Sequence, residues 1–230
     1  DGMLEELSNK GNGTYAYIDN FSEARKVLVD QMTGTLVTIA KDVKIQVEFN
    51  PARVAGYRLI GYENRMLKKE DFNNDKVDAG EIGAGHTVTA IYELVPAGLE
   101  DEGPGSVDPL KYQSEGRTDG AGDAAEILTL KLRYKQPEGD TSVKVEVPLA
   151  GAWAAEGEGS ADLRFAVAVA AFGQVLRESP HTVGFTYESI ITLAHGALGA
   201  DPNGYRAEFI KLVRNAQALT GNRAEGAVNP

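Results

Sequence analysis

The sequence predicts an α+β chain: an antiparallel β-sandwich followed by a C-terminal helical subdomain, and preceded by a helix-strand-helix remnant of an α/β domain. Three observations carry this. The apolar period switches from about 3.6 to about 2 after Gly34, and it returns to about 3.6 after Trp153. The first 33 residues form a unit too small to bury its own apolar face, which is how the closing segment of a doubly wound domain reads. The expected boundaries are 1–33 for the remnant, 34–155 for the sandwich, 156–222 for the helical subdomain and 223–230 for a flexible tail.

Asp1 to Asn9 is long enough only for a short helix. Gly11-Asn12-Gly13 is a turn signal, and it leads into the β-prone run Thr14-Tyr15-Ala16-Tyr17-Ile18-Asp19. From Ser22 to Met32 the spacing predicts a helix with Phe21, Arg25, Leu28 and Met32 on one face, Asn20 or Ser22 as N-cap and Gly34 as stop signal. The sheet that this helix suits would lie upstream of Asp1, so its apolar face is expected to be poorly covered.

Past Gly34 the side chains alternate. Thr35 to Ala40 is a first strand; Val43, Ile45, Val47 and Phe49 then face one way, with Lys44, Gln46 and Glu48 facing the other. Leu128, Leu130, Leu132 and Tyr134 repeat the pattern, as do Val143, Val145 and Val147. Val54 to Tyr62 and His86 to Leu94 are further β-rich runs, which makes six strands with one face in the core and one in water. Pro96 to Ala125 is too polar for a strand and reads as a surface excursion, in which Leu99, Leu110 and Tyr112 are candidates for partner recognition.

Helices follow Trp153, itself expected where sandwich and helices join. Ser160 caps a segment with one stripe of Phe165, Val169, Phe172 and Leu176 and a second of Leu163, Ala166, Val167 and Ala170; apolar nearly all round, it is expected to be buried. Thr186 caps a helix that turns Ile190, Leu193, Ala194, Ala197 and Leu198 inward and stops at Gly199. Asp201-Pro202 starts a third, with Tyr205, Phe209, Leu212, Ala216 and Leu219 as its stripe and Gly221 as its end.

Composition removes several function classes. The formal net charge is −11, from 23 Lys and Arg against 34 Asp and Glu, so the chain lacks the basic patch that a nucleic-acid partner needs. With no cysteine there is no disulfide, thiolate nucleophile or cysteine metal site. No apolar run reaches the ~20 residues that span a bilayer.

The best local pattern for a cation is Asp71 to Glu81. Oxygen side chains at Asp71, Asn73 and Asp75 mimic the first three ligand positions of a calcium loop, and Asp78 and Glu81 add carboxylates. Lys76 stands where such a loop needs glycine and Ile82 where it needs a bidentate Glu, so the run is not an EF-hand; a solvated acidic loop is the plainer reading. Asp75, Asp78, Glu81 and His86 would be the side chains of a metal-dependent enzyme, and Glu81 with His86 an acid–base pair. Gly83-Ala84-Gly85 before His86 is equally what a tight turn requires, and no nucleophile motif accompanies it. His181 and His195 stand alone. The residues thus supply no catalytic set, and the expected activity is non-enzymatic.

The strings Leu7-Ser8-Asn9-Lys10-Gly11-Asn12-Gly13-Thr14-Tyr15-Ala16-Tyr17-Ile18-Asp19 and Ala24-Arg25-Lys26-Val27-Leu28 resemble the last helix, strand and helix of a von Willebrand factor type A domain of the bacterial YfbK-like group. Gly34 to Asn50, Tyr57 to Arg65, Asp78 to Glu93 and Gly204 to Val213 resemble the domain that follows it in those proteins. The resemblance implies an accessory or interaction module beside a domain that binds ligands through a metal-ion-dependent adhesion site, on an exported or envelope-anchored bacterial protein, with a protein as partner. The Asp-x-Ser-x-Ser loop of that site does not occur in these residues. The adhesion-site metal is therefore expected upstream of this chain, and no site residue carries over.

Overall fold

Alternation from Thr38 to Phe49 produces one long strand, β1 (Thr38–Phe49), where the sequence suggested two. A bulge replaces the expected break: the register with the neighbouring strand shifts between Lys41 and Lys44, and Asp42 takes a left-handed conformation at φ 51°. One extra residue bends a strand without ending it.

In the computed structural model, residues 2–11, 13, 15–62, 66–98, 125–154, 157–182 and 184–226 are described. They fall into two compact units, one of residues 1–57, 63–88 and 94–151 and the other of residues 58–62, 89–93 and 152–230. The expected excursion over Pro96–Ala125 lies, apart from its first three residues and its last, outside the described residues, and so do residues 227–230 of the tail.

In the first unit β3 (Gly80–Gly83), β1, β5 (Glu126–Lys135) and β6 (Ser142–Ala150) form an antiparallel sheet in the order β3-β1-β5-β6. A separate antiparallel pair joins β2 (Val54–Ile60) to β4 (Ile91–Pro96). Fold class is thus α+β. The strand expected from His86 starts only at Ile91, because the preceding residues turn: the His86 N–H donates to the Gly83 carbonyl at 3.1 Å, and the Thr89 carbonyl accepts from the Tyr62 hydroxyl at 2.8 Å.

The register aligns the apolar sets. Ile45 faces Leu132, Val47 faces Leu130 and Phe49 faces Leu128 across β1 and β5; Leu130 faces Val147 and Leu132 faces Val145 across β5 and β6. Periodicity names this face correctly but overstates its burial. Val143, Val145 and Val147, expected in the core, are exposed, and so are Ile45 and Leu130 on the inner strands, so among the described residues this side of the sheet is left open there. Among the described residues of this unit, Val54, Phe72 and Ile127 are the buried apolar side chains.

Ahead of β1 come α1 (Gly2–Lys10), α2 (Phe21–Arg25), a π-helical turn over Lys26–Asp30, and α3 (Met32–Leu36). Asn20, not Ser22, is the cap of α2, its Oδ1 accepting from the Glu23 N–H at 2.9 Å. Two expectations are corrected. Residues 15–19 form no strand, since a lone segment has no ladder to satisfy its backbone groups. The single helix over 22–32 is broken by the π turn. Its apolar residues are uncovered as expected, with Phe21 85% exposed and Leu28 and Met32 also open. Gly34 instead meets β3 at backbone contact: a Cβ on Gly83 would sit 1.5 Å from the Gly34 carbonyl oxygen, so only glycine fits.

The second unit holds α4 (Ala161–Leu176), α5 (Tyr187–Gly196) and α6 (Tyr205–Gly226). Ser160 caps α4, and Thr186 and Ser189 form a reciprocal capping box on α5. Helix α6 begins three residues later than the sequence indicated. The Asp201 carboxylate still serves its start, accepting from the Arg206 and Ala207 N–H groups at 3.1 and 2.9 Å. It also runs past Gly221, through the first residues of the expected tail. Ala168, Ala171, Phe172, Ile190, Ala194, Ile210 and Val213 make the core. Phe172 meets Phe209 edge-on at 5.6 Å, and the Arg206 guanidinium lies 4.9 Å above the Phe165 ring. Burial of α4 is one-sided: Leu163, Val169 and Leu176 are exposed, because among the described residues of this unit α5 and α6 pack against the helix and cover one flank. Trp153 is 44% exposed.

Candidate functional site

Residues 71–75 of the Asp71–Glu81 run lie over the polar face of the four-stranded sheet, and the chemistry there begins with Lys44. An alternating strand assigns Lys44 to water, yet it is only 3% exposed. A 3-10 turn over Lys69–Asn73 folds back onto the sheet with Phe72 buried beneath it. The Lys44 Nζ then donates to the Asp71 carbonyl at 3.2 Å and to the Asn74 carbonyl. Its three N–H bonds suit a site built of backbone oxygens.

Two more cations from the same face complete the contact. Arg133 donates through one terminal nitrogen to Asn73 Oδ1 at 3.0 Å, and through its Nε and other terminal nitrogen to Ser142 Oγ at 3.1 and 2.6 Å. The Ser142 hydroxyl donates to Asp75 Oδ1, and the Ser142 N–H to Asp75 Oδ2 at 3.4 Å. Lys135 donates to Asp42 Oδ2 at 2.6 Å and to the Asp75 carbonyl at 2.8 Å. The β1 bulge is what aims Asp42: its other oxygen accepts from the Ala79 N–H at 3.2 Å.

Of the five residues suggested for a cation, Asn73 and Asp75 are therefore gathered around Arg133 and Ser142, while Asp71 contributes its backbone carbonyl to Lys44. Asp78 and Glu81 are exposed, Glu81 on β3. Among the described residues no group of three or more His, Asp or Glu side chains is placed to hold a metal ion. Glu81 and His86 share no hydrogen bond among the described residues, and the His86 ring lies against Gly34. The arrangement is a latch of cations on loop oxygens. Sequence reasoning missed Lys44, Asp42, Arg133, Lys135 and Ser142. The available signal was the clustering of Lys44, Arg133 and Lys135 on one strand face opposite an acidic loop.

The electrostatics follow from these contacts. Ser142 hydrogen bonds, first from the hydroxyl and then from the N–H, hold the Asp75 carboxyl below its ordinary range, with Arg133 and Lys135 adding to the effect. At Asp42, burial pushes the carboxyl up, but the Lys135 and Ala79 hydrogen bonds outweigh it and the net direction is down. The hydrogen bond to Asp42 raises Lys135. Depressed carboxyls contribute stability above their unfolded-state pKa and lose it as pH falls through the folded value; a raised lysine contributes below its ordinary pKa and loses that as pH rises through the folded one. The melting temperature is therefore expected to fall as pH drops below the ordinary carboxylate range. Asp75→Asn should flatten that acid limb, and an unchanged limb in thermal melts against pH would remove Asp75 from the latch.

A family model described as "Uncharacterized protein YfbK, C-terminal" matches residues 34–219. Among curated proteins, "Uncharacterized protein YfbK" of Escherichia coli (strain K12) is 46% identical over 220 residues, which is 96% of this chain and 37% of that protein. The chain thus spans little more than a third of the length of that relative. No solved structure matches the chain.

Proposed function

Since this chain belongs to the family of YfbK C-terminal domains, we propose that it is a non-enzymatic accessory module, one that supports and orients a metal-dependent, ligand-binding type A domain lying upstream in a longer protein. Its partner is a protein rather than a nucleic acid, in keeping with the net charge of −11. The parent protein is exported or envelope-anchored in a bacterium. Among the described residues no helix is long and apolar enough to cross a membrane.

The uncovered apolar surface of residues 2–36 carries this reading. Phe21, Leu28 and Met32 on one segment, and Met3 and Leu7 on α1, are each exposed. So many large apolar side chains left in water within one short stretch of chain mark it as built to be covered. An α/β domain whose last helices these are would cover it.

Hydrogen exchange on this chain and on the full-length protein tests the reading. Amides of residues 2–36 should exchange more slowly in the longer protein, where ligand capture should be abolished by chelation; this chain alone should show no rise in melting temperature with millimolar Ca²⁺. Equal exchange in both proteins would overturn the docking. A Ca²⁺-dependent rise in this chain would favour a calcium-stabilised, adhesin-like domain using Asp71, Asn73, Asp75, Asp78 and Glu81. Metal-dependent turnover lost on substitution of Asp75, Asp78, Glu81 or His86 would make it an enzyme.

A further inference from the structure

The free edge of the four-stranded sheet is self-complementary, and we propose that β6 pairs antiparallel with β6 of a second copy of this chain, centred on Val145, to give a continuous eight-stranded sheet. β6 is the edge strand, and β5 is its only sheet neighbour among the described residues. Its side chains from Val143 to Ala150 are all exposed, Val145 at 39% and Leu149 at 53%.

The direction of the backbone groups fixes what the edge offers. The Ser142 N–H points away from β5, to Asp75, whereas the Gly151 N–H points back across the sheet to the Ala125 carbonyl at 3.1 Å. Even-numbered residues of β6 therefore turn their N–H and C=O groups outward, since these directions alternate along an antiparallel strand. Pro148, which has no N–H, stands at an even position and removes no bond to β5. Among the described residues, the backbone donors and acceptors of Lys144 and Glu146 meet no partner strand at this edge.

A two-fold axis through Val145 places Lys144 opposite Glu146 of the second copy and Glu146 opposite its Lys144. Each such pair exchanges two backbone hydrogen bonds, and each sets opposite charges face to face. Within one chain these two side chains already pair with each other, 2.5 Å apart, so both are on the polar face and within reach of a partner. Val143 falls opposite Val147, Val145 opposite itself, and the apolar face continues across the axis. Sliding the partner strand by two residues sets Lys144 opposite Lys144 or Glu146 opposite Glu146. Like charges directly opposite one another oppose that register. An isologous contact of this kind closes after two copies. Pro148 and the Asp75 bond at Ser142 limit the open backbone to the central residues.

Sedimentation of the full 230-residue chain across concentration tests the proposal, with thermal melts to verify that each variant is folded. The wild type should dimerise. Lys144→Glu, which sets two glutamates opposite two glutamates, should weaken the dimer on the order of tenfold or more, and Glu146→Lys should do the same. The double variant Lys144→Glu/Glu146→Lys should restore it, because the swap regenerates both pairs. A monomer at every concentration up to about 1 mM, a dimer indifferent to either single change, or a double variant as weak as the singles would each overturn the pairing.

Discussion

Ile190→Ala is expected to destabilise the helical unit by about 3–4 kcal/mol. Ile190 is fully buried and packs within the cluster of Ala168, Ala171, Phe172, Ala194, Ile210 and Val213. Three of those six neighbours are alanines with no rotamer to swing into the space, so a cavity should persist and add to the lost transfer free energy. A domain commonly has only about 5–15 kcal/mol in hand, so the change should move the urea midpoint a long way. Val169→Ala on the exposed flank of α4 is the comparison, and it should stay within about 0.5 kcal/mol. Equal effects of the two substitutions in urea denaturation would mean that the interior of the unit is misplaced.

Lys44→Ala is expected to cost about 3 kcal/mol, from two carbonyls left without their donor at about 1–3 kcal/mol each, tempered by water entering the gap. The Asp71 and Asn74 carbonyls would lose the ammonium that holds the 3-10 turn to β1. Lys44→Met keeps the apolar stem and removes only the charge and its donors, so it should recover the packing part of the loss and none of the hydrogen bonding. Hydrogen exchange should show residues 69–79 opening first, while the helical core keeps its protection. Uniform loss of protection would instead make Lys44 a packing residue.

How much of this was legible depended on the range of the interaction. Ser160 and Thr186 were readable as caps because a cap bonds an N–H three residues away, and Asp201 announced α6 although the helix starts later. Period-2 alternation in β1, β5 and β6 sorted the apolar from the polar face correctly, since pleating forces it. Lys44 and Val145 were misread by the same rule: alternation says which side of the sheet a residue is on and nothing about what lies over that side. The acidic run at Asp71 was noticed for its oxygens, but the cations that occupy them come from Arg133 and Lys135, some 60 residues along the chain. Spacing within the run could not reveal them.

The sequence by itself determined that strands precede three C-terminal helices, which face of β1, β5 and β6 is apolar, the acidic balance with no cysteine and, through Gly34 to Asn50 and Gly204 to Val213, the family. These follow from local sterics, capping and composition, which act within a few residues. Only the tertiary structure decided that a loop lies over Lys44, that the apolar side chains of β6 stand at an open edge, that residues 15–19 form no strand, and that Gly34 and Gly83 touch backbone to backbone. Those outcomes depend on which segments, distant in sequence, come to share a surface, and a residue's own neighbours carry no energy term for that choice.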